Sequence, residues 1–394
     1  MKKVIYVGAF RFPAGDAAAS RVLNNAKILR ALGYKVIFVS WGGKHQESDK
    51  GEDGNFYYQG FQYVNTDDID MKQTNPLKRI YNHFFSGRKS LFFIKQTINT
   101  VDIVIGYNPS MFFTNRMLSL CKKYNIPFIS DITEWYDSNE FPGGRYSPAS
   151  WVNDLNMRFT QKKVKNKIVI TSFLDRYYKA SNNIILPPLV DSEETKWTTI
   201  KTVLPPFNGI RLIYAGTPAK KDLLGIILNA VVSYLKRELK LQFVIVGVSK
   251  ENISNYTNNQ EVLSSPNNII FCGRVPQIDV PSYYNISDFS VIIREATRKN
   301  MAGFPTKLAE SLLAGVPVIA NSTSDIEHYI INGENGLVID NYTEQSLISI
   351  LNKLQDLSLQ EINDMKNKAK KSGENQFDYR NYSNQVQLFL NNVK

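Results

Sequence analysis

Short, continuous apolar runs alternate with longer amphipathic segments along the first half of the chain. The run at 3–8, KVIYVG, ends in Gly8 and leads to a helical pattern over 18–32, and Gly33 precedes a second run, YKVIFVS. This order predicts a strand, a helix and a parallel strand. Similar apolar runs recur at 101–106, 126–130 and 167–171. Because such units build a parallel sheet covered by helices, we predict a doubly wound, Rossmann-like α/β domain over residues 1–190.

A proline-rich stretch at 184–209 separates two regions of this kind. It holds two Pro-Pro pairs, which neither a helix nor a central strand accepts, and it therefore predicts a linker. From residue 210 the alternation restarts, which predicts a second Rossmann-like domain over 191–375. An apolar face within 376–394 predicts a terminal helix that packs back on the N-terminal domain.

Length and composition agree with two globular domains. The 394 residues exceed what one core usually holds. The formal net charge is +11, and residues 1–195 hold 26 Lys or Arg against 18 Asp or Glu, an excess that can attract nucleic acid, anionic lipid or a phosphorylated substrate. Cys121 and Cys272 lie far apart in apolar surroundings, which predicts buried thiols in a reducing compartment. No apolar stretch approaches the ~20 residues of a membrane span, so we expect a cytoplasmic protein with at most peripheral membrane contact.

The stretch 302–320, AGFPTKLAESLLAGVPVIA, places a lysine and a glutamate in an otherwise apolar helix. Pro305 suits the first turn and Gly315 the C-terminal exit, so we predict a helix over 305–314. The unpaired N–H groups of its first turn and Lys307 favour a bound diphosphate. Taken alone, a helix of this kind is more often an ordinary solvated face.

Two further strand ends carry basic residues beside glycines. The strand that ends at Gly216 continues into a loop with Lys220 and Lys221, and Arg274 directly follows the strand NNIIFCG. The carboxyl ends of parallel strands meet at one edge of a sheet, where open α/β proteins bind their ligands. We therefore expect an anion site and, beside Arg274, room for a flat base.

These motifs resemble the signature region of the retaining family 4 glycosyltransferases, also called glycosyltransferases group 1. The likeness is most specific over 302–339 and extends to YAGTPAKKDLL at 214–224 and to PPLVD at 187–191. It implies the GT-B fold, in which two Rossmann-like domains face each other across a cleft. It also implies transfer of a sugar, with retention, from a nucleotide-diphosphate donor to an acceptor hydroxyl. The nucleotide sugar, UDP- or GDP-linked, is then a substrate, and no separate cofactor is expected.

The resemblance assigns roles to several residues of the second domain. Glu310 matches the second glutamate of an E-x7-E motif and is expected to bind the ribose hydroxyls of the nucleotide. Lys221, with Lys220 as the competing register, matches the lysine that binds the diphosphate, so Lys221 and Glu310 are the implied catalytic pair. Gly303 and Phe304 lie where the family presents backbone N–H groups to the donor sugar.

Two positions depart from the family pattern. Ala302 stands where the first glutamate of E-x7-E is expected, and Thr217 stands where the loop after Gly216 carries an arginine. Lys307 or Arg294 could supply the missing cation. Together with Glu295, Arg294 resembles the pocket residues of a branch associated with surface-polysaccharide assembly, such as capsule or O-antigen, although a structural charge pair at this strand end is equally open.

The first domain offers candidates for an acceptor or cleft site. The stretch SDITEWYDSNEFPGG follows a strand and contains Asp131, Glu134 and Trp135. An aromatic face can stack on a sugar while a carboxylate binds its hydroxyls. A buried tryptophan and a capping aspartate are equally compatible with the sequence. The glycine loop near the N-terminus adds Gly15 and Arg21 by resemblance to the family.

No metal site is expected. The acidic run DDID at 67–70 lies in a loop-like stretch and predicts a solvated turn, and no Asp-x-Asp motif stands at a suitable strand end. Lysines and a helix N-terminus can stabilise a leaving diphosphate without a metal. The leaving phosphate can itself take the acceptor proton, so no general base is assigned.

Two stretches of the first half, 75–96 and 158–167, interleave basic and aromatic residues. This pattern is typical of surfaces that meet anionic lipid heads, and it would suit a lipid-linked saccharide or glycan acceptor. A merely solvated basic face is equally open. Nucleic acid is not expected as a partner because no binding module accompanies the charge. The other functions compatible with the sequence are a GT-B sugar-nucleotide epimerase and a catalytically silent partner that binds sugar nucleotides.

Overall fold

A computed structural model describes the chain except for residues 14–15, 69–84, 180, 200, 202, 219–220, 238–239, 265–266 and 394. The chain forms two compact units. The first unit comprises Met1–Leu189 together with Tyr379–Lys394, and the second comprises Val190–Asp378. The chain therefore passes from one unit to the other twice.

An eight-stranded sheet forms the centre of the first unit. Its strand order is β3-β4-β2-β1-β5-β6-β7-β8, and only β3 runs antiparallel to its neighbour. The strands are β1 Lys3–Phe12, β2 Lys35–Gly43, β3 Phe56–Tyr58, β4 Phe61–Asn65, β5 Ile103–Tyr107, β6 Phe128–Ile132, β7 Asn166–Val169 and β8 Asn182–Ile185. The α-helices are Ala17–Ala31, Arg88–Thr97, Met111–Tyr124, Pro148–Leu155 and Ser172–Tyr177. The apolar runs of the sequence became the buried parallel strands, as predicted.

The second unit is built on a six-stranded parallel sheet of order β11-β10-β9-β12-β13-β14. Its strands are β9 Ile210–Ala215, β10 Leu241–Val246, β11 Ile269–Gly273, β12 Phe289–Ile292, β13 Val318–Asn321 and β14 Gly336–Ile339. Its helices are Leu224–Leu235, Gln260–Leu263, Val280–Asn285, Arg298–Ala302, Thr306–Leu313, Ile326–Tyr329, Glu344–Gln355 and Leu359–Phe377. The strand order reverses between β9 and β12, which is the point where open α/β sheets bind ligands.

Helix Thr306–Leu313, which carries the candidate site residues, is held by close packing from behind. Gly373 lies in the middle of helix Leu359–Phe377, and a Cβ at this position would approach the backbone N of Leu313 to 2.4 Å. Only a glycine allows the two helices to touch there, because an alanine would collide with backbone that cannot move aside. The approach fixes helix Thr306–Leu313 against helix Leu359–Phe377.

The terminal segment belongs to the first unit. Helix Leu359–Phe377 ends before Asp378, a 3₁₀ turn follows at Tyr379–Tyr382, and the last helix covers Ser383–Asn391. Val386 and Phe389 are buried in the apolar core that also contains Ile184 and Leu186. The helical prediction for 376–394 therefore holds only for part of that range, since residues 376 and 377 complete the preceding helix.

The structure corrects several boundaries. Residues 184 and 185, predicted as linker, complete β8 at the edge of the first sheet. The hairpin of β3 and β4 was missed because both strands are short and lie among polar residues. The helix after the lysine loop begins only at Leu224, since Asp222 forms a bridge with Arg294. Asp68 accepts hydrogen bonds from the backbone N–H groups of Lys89 and Ser90 at 2.8 Å each, so this part of DDID serves the start of helix Arg88–Thr97.

The two cysteines have apolar surroundings, as expected. Cys121 is buried and Cys272 is half-buried, and both are free thiols. Burial raises the pKa of Cys121 to about 12 and that of Cys272 to about 11, so both remain protonated near neutral pH. Neither has the lowered pKa of a reactive thiol.

Candidate functional site

The candidate donor site lies where β9 and β12 end side by side. Tyr214 lies near the end of β9, and Arg294 follows β12. Asp222 comes from the loop between β9 and helix Leu224–Leu235, and Lys307 comes from the first turn of helix Thr306–Leu313. Residues distant in the sequence therefore meet at the point where the strand order reverses.

The carboxylate of Asp222 is the centre of this cluster. Its Oδ1 accepts a hydrogen bond from Nε of Arg294 at 2.6 Å, and its Oδ2 accepts one from the hydroxyl of Tyr214 at 2.6 Å. The Lys307 ammonium donates to the same Oδ2 and, at 2.7 Å, to the Tyr214 hydroxyl. Asp222, Arg294 and Lys307 are each less than a tenth exposed, so a single carboxylate faces two buried basic side chains.

Burial and charge shift the titration of these groups. Burial opposes ionisation of Asp222, but Lys307 and Arg294 outweigh it and hold the pKa of this carboxyl well below its usual range. Burial lowers the pKa of Lys307, while Asp222 acts in the opposite direction. Burial and then Asp222 raise the pKa of the Tyr214 hydroxyl well above its ordinary value. Asp222 is therefore ionised near neutral pH and Tyr214 is protonated.

Gly216 brings the loop after β9 directly against the lysine. Its φ is +135°, a conformation that residues with a side chain rarely adopt, and a Cβ there would lie 3.1 Å from Cε and 3.2 Å from Nζ of Lys307. Thr217, the next residue, is exposed. The glycine lets the backbone pass over the ammonium group.

Two asparagines fix the neighbouring strand ends. Asn321 accepts from the backbone N–H of Arg294 at 2.8 Å and donates to its carbonyl at 2.7 Å. Asn300 donates to the carbonyls of Lys221 at 3.2 Å and of Glu295 at 2.9 Å. Asn300 thereby ties the lysine loop to the end of β12.

Glu310 differs from Lys307, the other charged residue of helix Thr306–Leu313. It lies one turn after Lys307 and is half-buried, and its carboxylate makes no hydrogen bond to any residue that the structure describes. Burial raises its pKa, and Lys196 and Lys307 act against this rise. The carboxylate is therefore available to accept hydrogen bonds from a ligand.

The remaining donor-side predictions have varied surroundings. Lys221 is half-buried, and Arg274 and Glu295 are exposed. The N–H of Gly303 donates to the carbonyl of Lys299 at 2.9 Å and is already used within the protein. The side chain of Phe304 is buried and packs edge-on against Tyr329, with ring centroids 5.2 Å apart. Lys220 lies outside the described residues.

The structure corrects the interpretation of Arg21 and Asp131 as acceptor residues. Arg21 donates from Nη2 to Oδ1 of Asp131 at 2.8 Å and from Nη1 to the carbonyl of Leu186, also at 2.8 Å. The hydroxyl of Tyr6 donates to Oδ2 of Asp131, and this carboxylate is fully buried. The pair therefore anchors the segment after β8 and offers no oxygen to a sugar.

Trp135 is also part of the protein interior. It is only 2% exposed, its Nε1 donates to Asp154 at 2.9 Å, and its ring packs edge-on against Tyr177. Its faces cannot stack on a bound sugar without a rearrangement. Glu134 is half-buried and hydrogen-bonds to Tyr136, whose pKa is raised by burial and then by this carboxylate. Gly15 lies outside the described residues.

Sequence reasoning missed Asp222, Tyr214, Asn300 and Asn321. The sequence did contain an indication that Asp222 belongs to the site. It is an acidic residue that directly follows two lysines in a loop at a strand end. The described residues contain no group of three or more His, Cys, Asp or Glu side chains that could hold a metal ion. Among the helices described above, none combines the length and the apolar character that crossing a membrane requires.

The chain is similar to one known protein family and to several solved structures. Residues 204–372 match the family described as glycosyl transferases group 1. No curated protein sequence matches the chain. Several solved structures are similar over nearly the whole chain.

Three of these structures illustrate the likeness. A sucrose-phosphate synthase from Thermosynechococcus elongatus has a TM-score of 0.73 at 13% identity, over 99% of this chain and 98% of its own. Anabaena HepE, in complex with UDP and glucose, has a TM-score of 0.71 at 13% identity, over 100% of both chains. WaaG, described as a glycosyltransferase involved in lipopolysaccharide biosynthesis, has a TM-score of 0.67 at 14% identity, over 98% of this chain and 99% of its own. The chain has the GT-B fold.

Proposed function

Because residues 204–372 match the family described as glycosyl transferases group 1, we propose that this protein transfers a sugar from a nucleotide-diphosphate donor to an acceptor hydroxyl, with retention at the anomeric carbon. The observation that carries the proposal is the cluster of Asp222, Arg294 and Lys307 at the reversal point of the second sheet. A single carboxylate faces two cations there, so the positive charge is in excess. An anionic ligand would supply the second negative charge.

The diphosphate would bind beside this cluster. Negative charge develops on the leaving diphosphate as the glycosidic bond breaks, and fixed cations stabilise it most effectively where water is excluded. Lys221 lies in the same loop as Asp222, and Lys307 stands in the first turn of a helix whose preceding residue, Pro305, supplies no side-chain cap. We propose that Lys221 and this helix N-terminus contact the phosphates, while Asp222 positions Lys307 and Arg294.

Glu310 would hold the ribose. An ionised carboxylate accepts hydrogen bonds from two adjacent hydroxyls, and the Glu310 carboxylate has no hydrogen-bond partner among the described residues. Its position one turn beyond Lys307 would set the ribose next to the diphosphate. Arg274, exposed after β11, would lie near the base.

Two structural relatives support a finer proposal. HepE was solved with UDP and glucose, and WaaG acts in lipopolysaccharide biosynthesis, so we propose a UDP-linked donor and a glycan or lipid-linked acceptor in surface-polysaccharide assembly. We propose further that the reaction needs no metal and takes place in the cytoplasm, at the inner face of the membrane.

Calorimetric titration with UDP, GDP and ADP in EDTA tests the donor site. We expect one nucleotide to bind with a Kd of about 1 μM, or about 8 kcal/mol. Incubation with the matching nucleotide sugars and mass spectrometry then test transfer, and slow donor hydrolysis is expected without an acceptor. If no nucleoside diphosphate binds, the proposal fails. If the sugar is isomerised but never transferred or released, the protein is an epimerase instead.

A further inference from the structure

The first unit carries an exposed apolar stripe that the proposed donor site does not use. Helix Pro148–Leu155 continues into a π-helical turn, Asn156–Thr160. Trp151, Leu155 and Phe159 follow one another at intervals of four residues on this element, and they are 56%, 46% and 62% exposed. Residues four apart on a helix lie on the same face. These three side chains are called the outer stripe below.

The inner face of the same element is buried in the protein interior. The outer stripe is therefore an apolar surface separate from the one that packs on the protein. Ser150, Met157 and Thr160 are each at most 5% exposed. Single exposed apolar residues are common on proteins and need no explanation. Large apolar side chains on successive turns, with an inner face already buried, indicate a surface that is covered in the working protein.

Basic residues border the outer stripe. Residues 145–165 contain five Lys or Arg and one acidic residue, Asp154, which pairs with Arg158 at 3.7 Å. Lys162, Lys163 and Lys165 are exposed and form no ion pair with the described part of the chain. This local excess of positive charge attracts an anionic partner.

Tyr146 and Trp151 are of the residue types that are typical of the interface between water and lipid. Tyr146 precedes the outer stripe and is 68% exposed, and Nε1 of Trp151 donates to the carbonyl of Arg145 at 2.7 Å. Tyr and Trp prefer the headgroup level of a bilayer, where an apolar ring and a polar edge are both accommodated. A helix that lies in this plane combines apolar residues on one side with Lys and Arg beside them.

We propose that the outer stripe inserts into the headgroup region of a bilayer that contains anionic lipids, with Lys162, Lys163 and Lys165 contacting the lipid phosphates. This inference deepens the proposed function, because it assigns the surface by which the enzyme would reach a lipid-linked acceptor. The surface belongs to the unit that does not carry the candidate donor site.

Tryptophan fluorescence with lipid vesicles provides a direct test. Trp151 is more than half exposed, whereas Trp41 and Trp135 are each 2% exposed and Trp197 is half-buried. We expect vesicles of phosphatidylglycerol and phosphatidylcholine in equal amounts to shift the emission to shorter wavelength, and pure phosphatidylcholine vesicles to bind at least about tenfold more weakly. The Trp151→Phe variant should not show this shift, but it should still sediment with the anionic vesicles.

A double variant tests the apolar part of the surface. We expect Leu155→Ser with Phe159→Ser to reduce affinity for the anionic vesicles at least about tenfold. The matched control is Leu359→Ser with Leu388→Ser, because these leucines are 82% and 66% exposed elsewhere on the chain. The control should bind vesicles like the wild type. Replacing Lys163 or Lys165 by Gln should weaken binding about fivefold each.

Other outcomes separate this inference from the proposed function. Equal vesicle binding by the wild type and the Leu155/Phe159 variant, or no binding at all, would overturn the inference. A self-association that the same variant abolishes, without vesicle binding, would assign the surface to a second copy of the chain. Nucleotide calorimetry on the same samples tests the donor site alone. Because the double variant changes the first unit and the donor site belongs to the second, a thermal denaturation curve like that of the wild type is needed to show that the variant is folded.

Discussion

The carboxylate of Asp222 lies between two basic side chains, with Oδ1 bound by Nε of Arg294 at 2.6 Å and Oδ2 bound by the ammonium group of Lys307. Arg294 follows β12 and Lys307 begins the helix that carries Glu310, so this one carboxylate joins three separate elements of the second unit. Its charge is held inside the protein, where the loss of one partner leaves the others without compensation.

Asp222→Asn should therefore be strongly destabilising. The amide keeps the shape of the side chain but leaves two buried cations without a counter-charge, and we expect the free energy of unfolding to fall by about 3–5 kcal/mol. Urea denaturation measures this loss. Asp279→Asn is the control, since Asp279 pairs with Lys201 on the surface and its loss should cost below about 1 kcal/mol. Equal effects of the two changes would contradict a buried counter-ion role for Asp222.

Glu310→Gln should weaken nucleotide binding through the ribose. An amide accepts hydrogen bonds less strongly than a carboxylate, and we expect a loss of about 1.5–3 kcal/mol in binding free energy by calorimetry. The informative comparison is with the 2′-deoxynucleotide, which should bind the wild type more weakly than the ribonucleotide. The variant should discriminate much less between the two. If the variant keeps the full preference for ribose, Glu310 does not contact the sugar.

Gly216→Ala should disturb both stability and nucleotide affinity. The added methyl group would meet Cε and Nζ of Lys307 at 3.1 and 3.2 Å, in a backbone conformation that alanine avoids. Gly333→Ala is the control, because Gly333 also has a positive φ, +81°, but no atom lies within 4 Å of its added Cβ. From thermal denaturation we expect Gly216→Ala to lower the free energy of unfolding by about 1–2 kcal/mol more than Gly333→Ala does. Identical losses would mean that Lys307 moves aside without cost.

Lys167 should make the stability of the first unit depend on pH in the alkaline range. Its side chain is fully buried, its Nζ donates to Ser181 Oγ at 2.5 Å, and burial lowers its pKa to about 8. The unfolded chain, with an ordinary lysine pKa of about 10.4, therefore binds more protons than the folded chain between about pH 8 and pH 10.4. In this window the stability of the wild type should rise with pH relative to Lys167→Met.

Urea denaturation at pH 7.5 and pH 10 measures this difference. We expect the wild type to gain about 2 kcal/mol relative to Lys167→Met between the two conditions. The matched control is Lys165→Met, because Lys165 is exposed two residues earlier and its removal should leave the pH dependence unchanged. Parallel pH profiles for the wild type and Lys167→Met would show that the buried amine keeps its ordinary pKa.

The parallel strands could be predicted because their signal is local. Runs such as KVIYVG and IRLIYAG are buried on both faces of a sheet, so their apolar character is continuous. Strands β3 and β4 escaped prediction because they are short and half-polar, and their pairing depends on the neighbouring β2. The predicted helix over 305–314 agrees with the observed Thr306–Leu313 because Pro305 and Gly315 mark its ends.

The environments of the site residues could not be predicted because they depend on distant partners. Lys307 and Asp222 are 85 positions apart, and Arg21 and Asp131 are 110 positions apart. In each case we interpreted a charged residue at a strand or helix end as a possible ligand contact. The local sequence pattern did not show its buried partner. The same holds for Trp135, whose burial between Asp154 and Tyr177 follows from tertiary packing.

The last helix, Ser383–Asn391, fills the core of the first unit beside Ile184 and Leu186. During synthesis on the ribosome, the polypeptide up to Leu189 would emerge with this apolar surface uncovered, and the whole second unit would follow before residues 383–391 could cover it. The first unit thus cannot reach its native state by simple vectorial folding. It must wait in an open form, which chaperones could bind, until the closing helix has been translated.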